Sequence, residues 1–177
     1  MRKSGTGFSL YELLVTLAVA AVVLAVGVPS LGVLVARNRQ HVEINALFHA
    51  IHAARKESIT KRRVVSLCPS SDGATCRPGR DWSDGWILFV NDDRDSPPSI
   101  DAGEAVLQRH ASDKSIRLSA NRRGFTLRGT RLRATNGTIV ACDVGDRVAA
   151  KALVISYTGR PRVALKTPDG ESYECAD

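Results

Sequence analysis

The sequence predicts an α+β fold in which one long N-terminal helix, membrane-spanning in its first half, packs on an antiparallel β-sheet head. Two observations predict it. A nearly uninterrupted apolar run over residues 8–28 continues past a single proline into a stretch with helical periodicity that ends near Lys61. Beyond Arg63 the pattern changes to short β-branched runs separated by turn residues, which is typical of antiparallel sheets. The 177 residues therefore suffice for one domain and its anchor.

The first half of the predicted helix is the apolar run from Phe8 to Val28. It spans 21 residues, and its clearly polar members are Ser9, Glu12 and Thr16. A helix of this length measures roughly 30 Å, the thickness of the hydrocarbon core of a bilayer. Glu12 needs an explanation, because a carboxylate inside hydrocarbon is costly and is usually paired. An α-amino group created by cleavage before Phe8 would supply the cation.

Residues 1–7 are predicted to be a cleaved leader. A secretory signal peptide also begins with basic residues such as Arg2 and Lys3, but its cleavage site lies after the apolar segment. Here the small residues Ser4 to Gly7 lie before that segment, so cutting after Gly7 would leave the apolar helix on the mature chain. The alternative is an ordinary signal anchor with Glu12 near the membrane interface, which leaves Gly7 at the boundary unexplained.

Residues 29–62 are predicted to continue the helix as an amphipathic segment. Pro29 should kink or locally unwind the helix rather than end it. Apolar residues then recur mainly at three- and four-residue steps, at Leu31, Leu34, Val35, Val42, Leu47, Phe48 and Ile51. Polar residues fill the other faces, at Arg37, Arg39, Gln40, Glu43 and Arg55. His49 and His52 have no third ligand at helical spacing, so we interpret them as solvated or packing side chains.

Residues 63–177 are predicted to form the β-rich head. Eight short runs of apolar and β-branched residues are separated by turn formers, and we expect each run to be a strand. The runs are 64–68, 86–90, 105–108, 116–118, 124–127, 138–142, 152–157 and 163–165.

Four cysteines lie beyond the apolar run, at Cys68, Cys76, Cys142 and Cys175, which fits an oxidising compartment such as the periplasm. Four cysteines allow three pairings. We favour Cys68 with Cys76, because this bond closes a short loop rich in Ser, Gly and Pro. We favour Cys142 with Cys175, because this bond ties the C-terminal tail to the head. A zinc site is disfavoured, since the sequence has no C-x-x-C pair and no histidine close to a cysteine.

The loop over residues 72–104 is locally acidic, with eight Asp/Glu against three Arg. A calcium-binding loop that begins at Asp93 would place near its ligand positions Asp95, Ser99, Asp101 and Glu104. Pro98, however, occupies the position where the sharp turn of such a loop needs glycine. We interpret the loop as an acidic connection rich in turn formers, and we predict no metal.

The C-terminal half is basic in a chain whose formal net charge is +7: residues 113–166 contain twelve Lys/Arg, nine of them Arg, against three Asp. A solvated surface is the ordinary explanation of such charge. Arginine, however, suits forked contacts to phosphate. Gly159, Arg160, Pro161 and Arg162 place two arginines at alternate positions of a turn that enters a strand, so both can project on one side. The lower-ranked members of this basic patch are Lys114, Arg122, Arg123 and Lys166.

The N-terminus resembles a type IV prepilin. The resemblance rests on the basic leader, Gly7, Phe8, the segment Ser9-Leu10-Tyr11, Glu12 at the fifth mature position, and the apolar run with Pro29. Tyr11 stands where most members of the family have Ile. The resemblance implies a prepilin peptidase that cuts between Gly7 and Phe8, N-methylation of Phe8, and packing of the helix with other pilins, with Glu12 guiding docking. It implies a single-pass protein of the bacterial inner membrane with a periplasmic head, extracellular once assembled.

Over nearly its whole length the chain looks like the FimT/GspH family of minor pilins and pseudopilins, and the likeness is weakest from Ser112 to Arg133. It rests on Ala53 to Ile59, Val65 to Cys68, Asp84 to Val90, Gly103 to Leu107 and Gly159 to Arg162. The pilins of the FimT type, which this chain resembles, carry a Gly-Arg-x-Arg motif and bind DNA during natural transformation. Gly159, Arg160 and Arg162 meet this motif in full. Few aromatic residues lie near these arginines in the sequence, so duplex DNA is favoured over stacked single strands.

The resulting hypothesis is a FimT-like minor pilin that binds extracellular double-stranded DNA. Two alternatives stay open: a minor pseudopilin of a type II secretion system, and a structural minor pilin that primes assembly. Enzymatic activity is disfavoured, because the sequence has no recognisable nucleophile elbow, paired-carboxylate or metal motif, and no cofactor is predicted.

Overall fold

The structure is a computed structural model, and it describes residues 8–129 and 133–175. The chain divides into two compact units, Met1–Val35 and Ala36–Asp177. Helix α1, Leu10–Thr60, runs through Pro29, so the proline does not end it. By length and composition this helix can cross a membrane. Gly7 and the rest of the predicted leader lie outside the described residues.

The described residues of the second unit contain eight strands, one for each run expected from the sequence. They are β1 Val65–Pro69, β2 Gly85–Val90, β3 Val106–Ala111, β4 Ile116–Ala120, β5 Phe125–Leu127, β6 Gly137–Asp143, β7 Lys151–Ile155 and β8 Pro161–Ala164. They form two sheets, with strand orders β3-β2-β1-β5 and β4-β6-β7-β8, and the strand pairs are antiparallel. The predicted α+β class, a long apolar helix packed on antiparallel sheets, is confirmed.

The core of the globular unit lies between the second half of α1 and both sheets. The helix contributes Ile44, Leu47, Ile51 and two alanines, and the sheets contribute apolar side chains such as Leu67, Leu118 and Leu153. In β4 and β6 the buried residues mostly alternate with half-buried ones, so one face of the second sheet faces this core. In β1 and β2 every residue is buried, because a smaller cluster around Cys68, Ile87 and Phe89 covers the other face.

Two polar residues of α1 depart from the expected pattern. Gln40 and Glu43 are fully buried rather than on a polar face. Gln40 Nε2 donates to the carbonyl oxygens of Ala141 and Ala149, both at 2.9 Å. These two bonds offset the cost of burying the amide nitrogen, whereas the buried Gln40 Oε1 has no hydrogen-bond partner among the described residues. Conversely, Leu31, Leu34, Val35 and Val42 are exposed, although they continue the apolar periodicity.

The structure contains the disulfides Cys68–Cys76 and Cys142–Cys175, the two pairs favoured from the sequence. The first closes the loop that follows β1. The second joins the end of β6 to the C-terminal tail, and this tail also forms a bridge between Lys166 and Ser172.

Several carboxylates of the globular unit are stabilised in their ionised form, which predicts loss of stability in acid. Hydrogen bonds from Arg147 hold the pKa of Asp143 below its ordinary value, and hydrogen bonds from Ser115 do the same for the pKa of Asp113. Such groups stabilise the fold above their unfolded pKa, about 3.9, and this contribution is lost as pH falls through their lower folded pKa. We expect the free energy of unfolding to decline below about pH 4.

The measurement is denaturant unfolding at a series of pH values, followed by the fluorescence of Trp82 and Trp86. These are the two tryptophans of the chain, and both are buried in the globular unit. Asp143→Asn should flatten the decline, because this side chain no longer titrates. An equally steep decline in the variant would show that Asp143 makes no contribution to it.

Candidate nucleic-acid interface

The predicted arginine motif begins in the loop that joins β7 to β8. Gly159 N donates to the Ser156 carbonyl at 2.8 Å, and Ser156 N donates to the Arg160 carbonyl at 3.1 Å. Gly159 has a φ of 69°, in the left-handed region. This is the pattern of a three-residue hairpin loop that ends in a left-handed residue, a position glycine adopts without steric cost. The glycine of the motif therefore shapes the turn that presents the arginines.

Neighbouring elements fix this turn in place. A Cβ atom at Gly159 would lie 3.3 Å from Leu127 Cδ2 and 3.4 Å from Ala134 Cβ, so the buried glycine is closely packed. Arg55 of α1 donates to the Thr158 carbonyl. Ala134 N donates to the Tyr157 carbonyl at 2.9 Å. Contacts from the helix and from the segment after β5 therefore anchor the loop.

Arg160 and Arg162 are both exposed, and the buried Pro161 lies between them. Arg160 directly precedes β8 and Arg162 lies on it; because side chains alternate along an extended segment, we expect the two arginines to project on the same side. Pro161 is the first residue of an edge strand, a position where proline is tolerated because its missing N–H is not needed for pairing with the neighbouring strand. Within the described part of the chain, neither arginine forms an ion pair with an acidic side chain. Both guanidinium groups are thus available to an anion.

The fold adds two cations and an aromatic ring that were not predicted as site residues. The Arg133 guanidinium carbon lies 5.6 Å from the centre of the exposed Tyr157 ring, a cation–π arrangement. Arg55 and Arg133 line a cavity of about 270 Å³ beside the turn. The sequence could have indicated Tyr157, which lies in the same hairpin. Arg55 is about a hundred residues away in the chain, and no local pattern connects it to the turn.

Arg122 and Arg123 lie at the other edge of the second sheet. They follow β4, whereas Arg162 lies on β8, and β4 and β8 are the two edge strands. With Arg80 they line a cavity of about 300 Å³. The structure therefore separates the patch predicted from the sequence into two basic clusters. Lys166 lies two residues past β8 and is exposed. It is an even number of residues from Arg160 and Arg162, the spacing at which side chains of an extended chain point to the same side.

Lys114 is placed apart from both clusters. It precedes β4, whereas Arg122 follows that strand, so the two lie beyond opposite ends of β4. Its Nζ atom is 2.5 Å from Asp84 Oδ1, and this bond holds the pKa of Asp84 below its ordinary value. The charge of Lys114 is already paired, so the structure gives no support to its place in the patch.

At the start of α1, Glu12 has a local partner in its own chain, which was not predicted from the sequence. Its Oε2 atom accepts a hydrogen bond from Ser9 N at 3.1 Å, and Ser9 Oγ accepts one from Tyr11 N at 3.3 Å. Ser9 thus caps the helix, and Glu12 returns a bond to the cap residue as in a capping box, so that free backbone donors at the helix N-terminus are satisfied. Phe8 precedes the helix and is exposed.

The acidic loop brings together the carboxylates of Asp93, Asp95 and Asp101, whose oxygens lie within 4.8 Å of one another. Asp95 Oδ2 accepts hydrogen bonds from Ser99 N and Oγ at 2.7 and 2.8 Å. Glu104 accepts hydrogen bonds from the backbone N–H groups of Asp92 and Asp101. These carboxylates organise the backbone of the loop, and we assign them no ligand.

The model of the GspH family, described as type II transport protein GspH, matches residues 43–159, more than half of the chain. The chain belongs to this family. It is thus a minor type IV pilin or a GspH-like pseudopilin, as the sequence resemblance predicted. The matched range of this GspH-family protein ends at Gly159, so Arg160 and Arg162 lie just beyond it.

Among solved structures, this GspH-family protein is similar to the type IV minor pilin FimU of Pseudomonas aeruginosa. One crystal form of FimU gives a TM-score of 0.54 at 19% identity, over 78% of this chain and 95% of that one. A second form gives a TM-score of 0.51 at 19% identity, over 78% of this chain and 97% of that one. At this identity the likeness shows the fold. The search of curated protein sequences found no significant match.

Proposed function

We propose that this GspH-family protein is a minor type IV pilin that binds extracellular double-stranded DNA without sequence preference for natural transformation. The observation that carries the proposal is the pair Arg160 and Arg162, both exposed at an anchored turn and without acidic partners among the described residues. Arginine contacts to phosphate give affinity that is insensitive to sequence and sensitive to salt, as uptake of arbitrary DNA requires.

The proposal includes a place in a filament. A prepilin peptidase would cut between Gly7 and Phe8 and remove residues 1–7, and Phe8 would be N-methylated. Residues 8–28 would anchor the chain in the inner membrane and later pack against other pilins, with residues 29–62 continuing the helix into the head at 63–177. Glu12 would guide docking by exchanging its capping contact with Ser9 for the amino group of a neighbouring pilin. The head would be periplasmic before assembly and extracellular afterwards.

The test is DNA binding by the full chain in non-ionic detergent, with Arg160→Ala/Arg162→Ala as the variant. We expect the variant to weaken binding at least about tenfold at low salt. The slope of log affinity against log salt should fall by about 2, because each lost phosphate contact removes about 0.9. Fluorescence anisotropy of a labelled duplex between about 50 and 200 mM salt measures both quantities.

A matched control removes the same charge elsewhere. Arg39 and Lys114 are ion-paired with Asp113 and Asp84, and Arg39→Ala/Lys114→Ala should leave the affinity within about threefold of wild type. If wild type does not bind, or if both double variants lose affinity equally, the DNA role of the motif is wrong. The protein would then be a type II secretion pseudopilin, in line with the description of the family model, or a structural priming pilin.

A further inference from the structure

The second sheet has an outer face that joins the two basic clusters. Arg162 is directly opposite Val154, and Val154 is opposite Thr138. Asn121 N donates to the Thr138 carbonyl at 3.1 Å. These four residues form a row across the sheet, from β8 at one edge to the end of β4 at the other. Adjacent strands lie about 4.8 Å apart, so the backbones of Arg162 and Asn121 are separated by about 14 Å.

This row lies on the face turned away from the core. Directly opposed residues of antiparallel strands share a face, and neighbours along a strand take opposite faces. Ile139 and Leu153, the neighbours of Thr138 and Val154, belong to the hydrophobic core. Thr138 and Val154 are instead partly exposed, and they form an uncharged floor between the two edges of the sheet.

The far end of the row is as basic as the near end. Arg80, Arg122 and Arg123 line the cavity of about 300 Å³, and its described lining residues include no acidic side chain. Arg80 and Asn121 also line a groove of about 760 Å³ that runs over Thr138 on the same face. Asp81 is the acidic residue among the described lining of this groove, and its carboxylate lies 3.6 Å from Arg77.

The arginines of the far cluster can contact a ligand. Arg80, Arg122 and Arg123 are exposed, and in the described part of the chain none is ion-paired. Arg122 Nε donates to the Asn136 carbonyl at 3.1 Å, which uses one of the five N–H donors of its guanidinium group. That bond positions the side chain and leaves its remaining donors for phosphate.

We propose that duplex DNA lies across the outer face of the second sheet and is held at both edges. Arg160 and Arg162 contact the phosphates of one DNA strand, and Arg80, Arg122 and Arg123 contact the phosphates of the other DNA strand. The separation of about 14 Å between the ends of the row is close to the width of the major groove, about 12 Å. The uncharged floor faces the open groove. The inference rests on the proposed DNA function, to which it adds a second set of phosphate contacts and the orientation of the duplex on the sheet.

The first test uses Arg80→Ala/Arg122→Ala/Arg123→Ala in the full chain, with the same labelled duplex and salt series. We expect at least tenfold weaker binding and a salt slope reduced by about 2 to 3. The charge-matched control is Arg39→Ala/Lys61→Ala/Lys114→Ala, since each of these cations is ion-paired with a carboxylate in the fold. It should bind within about threefold of wild type.

A second test probes the floor between the clusters. Thr138→Glu places a negative charge midway along the row without removing any arginine, and it should weaken binding severalfold. Val144→Glu makes the same charge change at an exposed site beyond β6, and it should bind like wild type. If the two clusters bound DNA independently, Thr138→Glu would bind DNA as tightly as Val144→Glu. This result would overturn the proposed orientation.

The outcomes separate this inference from the proposed function. If the triple variant matches its control while Arg160→Ala/Arg162→Ala loses binding, DNA is held at the turn alone, so the inference fails and the function stands. If the wild-type chain does not bind duplex DNA, both fail. If a single strand of the same length competes as well as the duplex, contact across a duplex groove is wrong. Unfolding followed by tryptophan fluorescence establishes that every variant is folded.

Discussion

Replacing Cys142 and Cys175 with serine is expected to lower the free energy of unfolding of the globular unit by about 3–4 kcal/mol. The two cysteines are 33 residues apart in the chain. The bond therefore restricts the unfolded chain substantially, because the entropy removed by a crosslink grows with the length of the loop it closes. A loss of this size is a large part of the stability of a typical domain.

The same change should release the C-terminal tail from the second sheet. Tyr173, two residues before Cys175, lines the groove on the outer face, so freeing the tail alters one wall of the proposed DNA path. Guanidinium unfolding of the full chain in detergent, followed by tryptophan fluorescence, measures the stability. Limited proteolysis detects the freed tail, and DNA anisotropy reports the effect on the groove.

The comparison variant is Cys68→Ser/Cys76→Ser. Its disulfide spans 8 residues, for which the same entropy estimate gives about 2–3 kcal/mol. Cleavage of the tail should not increase in this variant, because Cys142–Cys175 stays intact. An unfolding midpoint and slope equal to those of wild type after removal of Cys142–Cys175 would show that this bond does not stabilise the fold.

Glu43→Ala is expected to lower the free energy of unfolding by about 3 kcal/mol. Glu43 is 2% exposed and joins α1 to the segment that leaves β3. Its Oε2 atom lies 2.9 Å from His110 Nε2, and its Oε1 atom accepts a hydrogen bond from Asp113 N at 2.9 Å. Alanine would leave both partners without their acceptor and would open a cavity in the interface.

Glu43→Gln provides the matched variant. It keeps the size of the side chain and an oxygen that can accept from Asp113 N, so it should lose clearly less stability than alanine. Denaturant unfolding measures the difference. The emission of Trp86 gives a local readout, because its ring is stacked on His110 at 5.0 Å between centroids. Equal stability of wild type and Glu43→Ala would show that this contact does not hold the helix on the sheet.

The sequence by itself determined the elements of this protein. Helix α1 was predicted from its apolar run and helical periodicity, and each of the eight strands from a short apolar and β-branched run between turn formers. The turn before β8 was predictable as well, because a glycine at the end of a short hairpin loop adopts a left-handed conformation that other residues avoid. These features depend on residues close together in the chain.

The tertiary structure alone decided which distant residues meet. Local patterns placed Glu43 and Gln40 on a polar face, and burial became acceptable because His110, Asp113 and two backbone carbonyls supply partners from other elements. The strand order likewise put Arg162 and Arg122 on opposite edges of one sheet. Strand pairing is set by packing between remote segments, so the sequence determined the charge of the two clusters and the fold determined the distance between them.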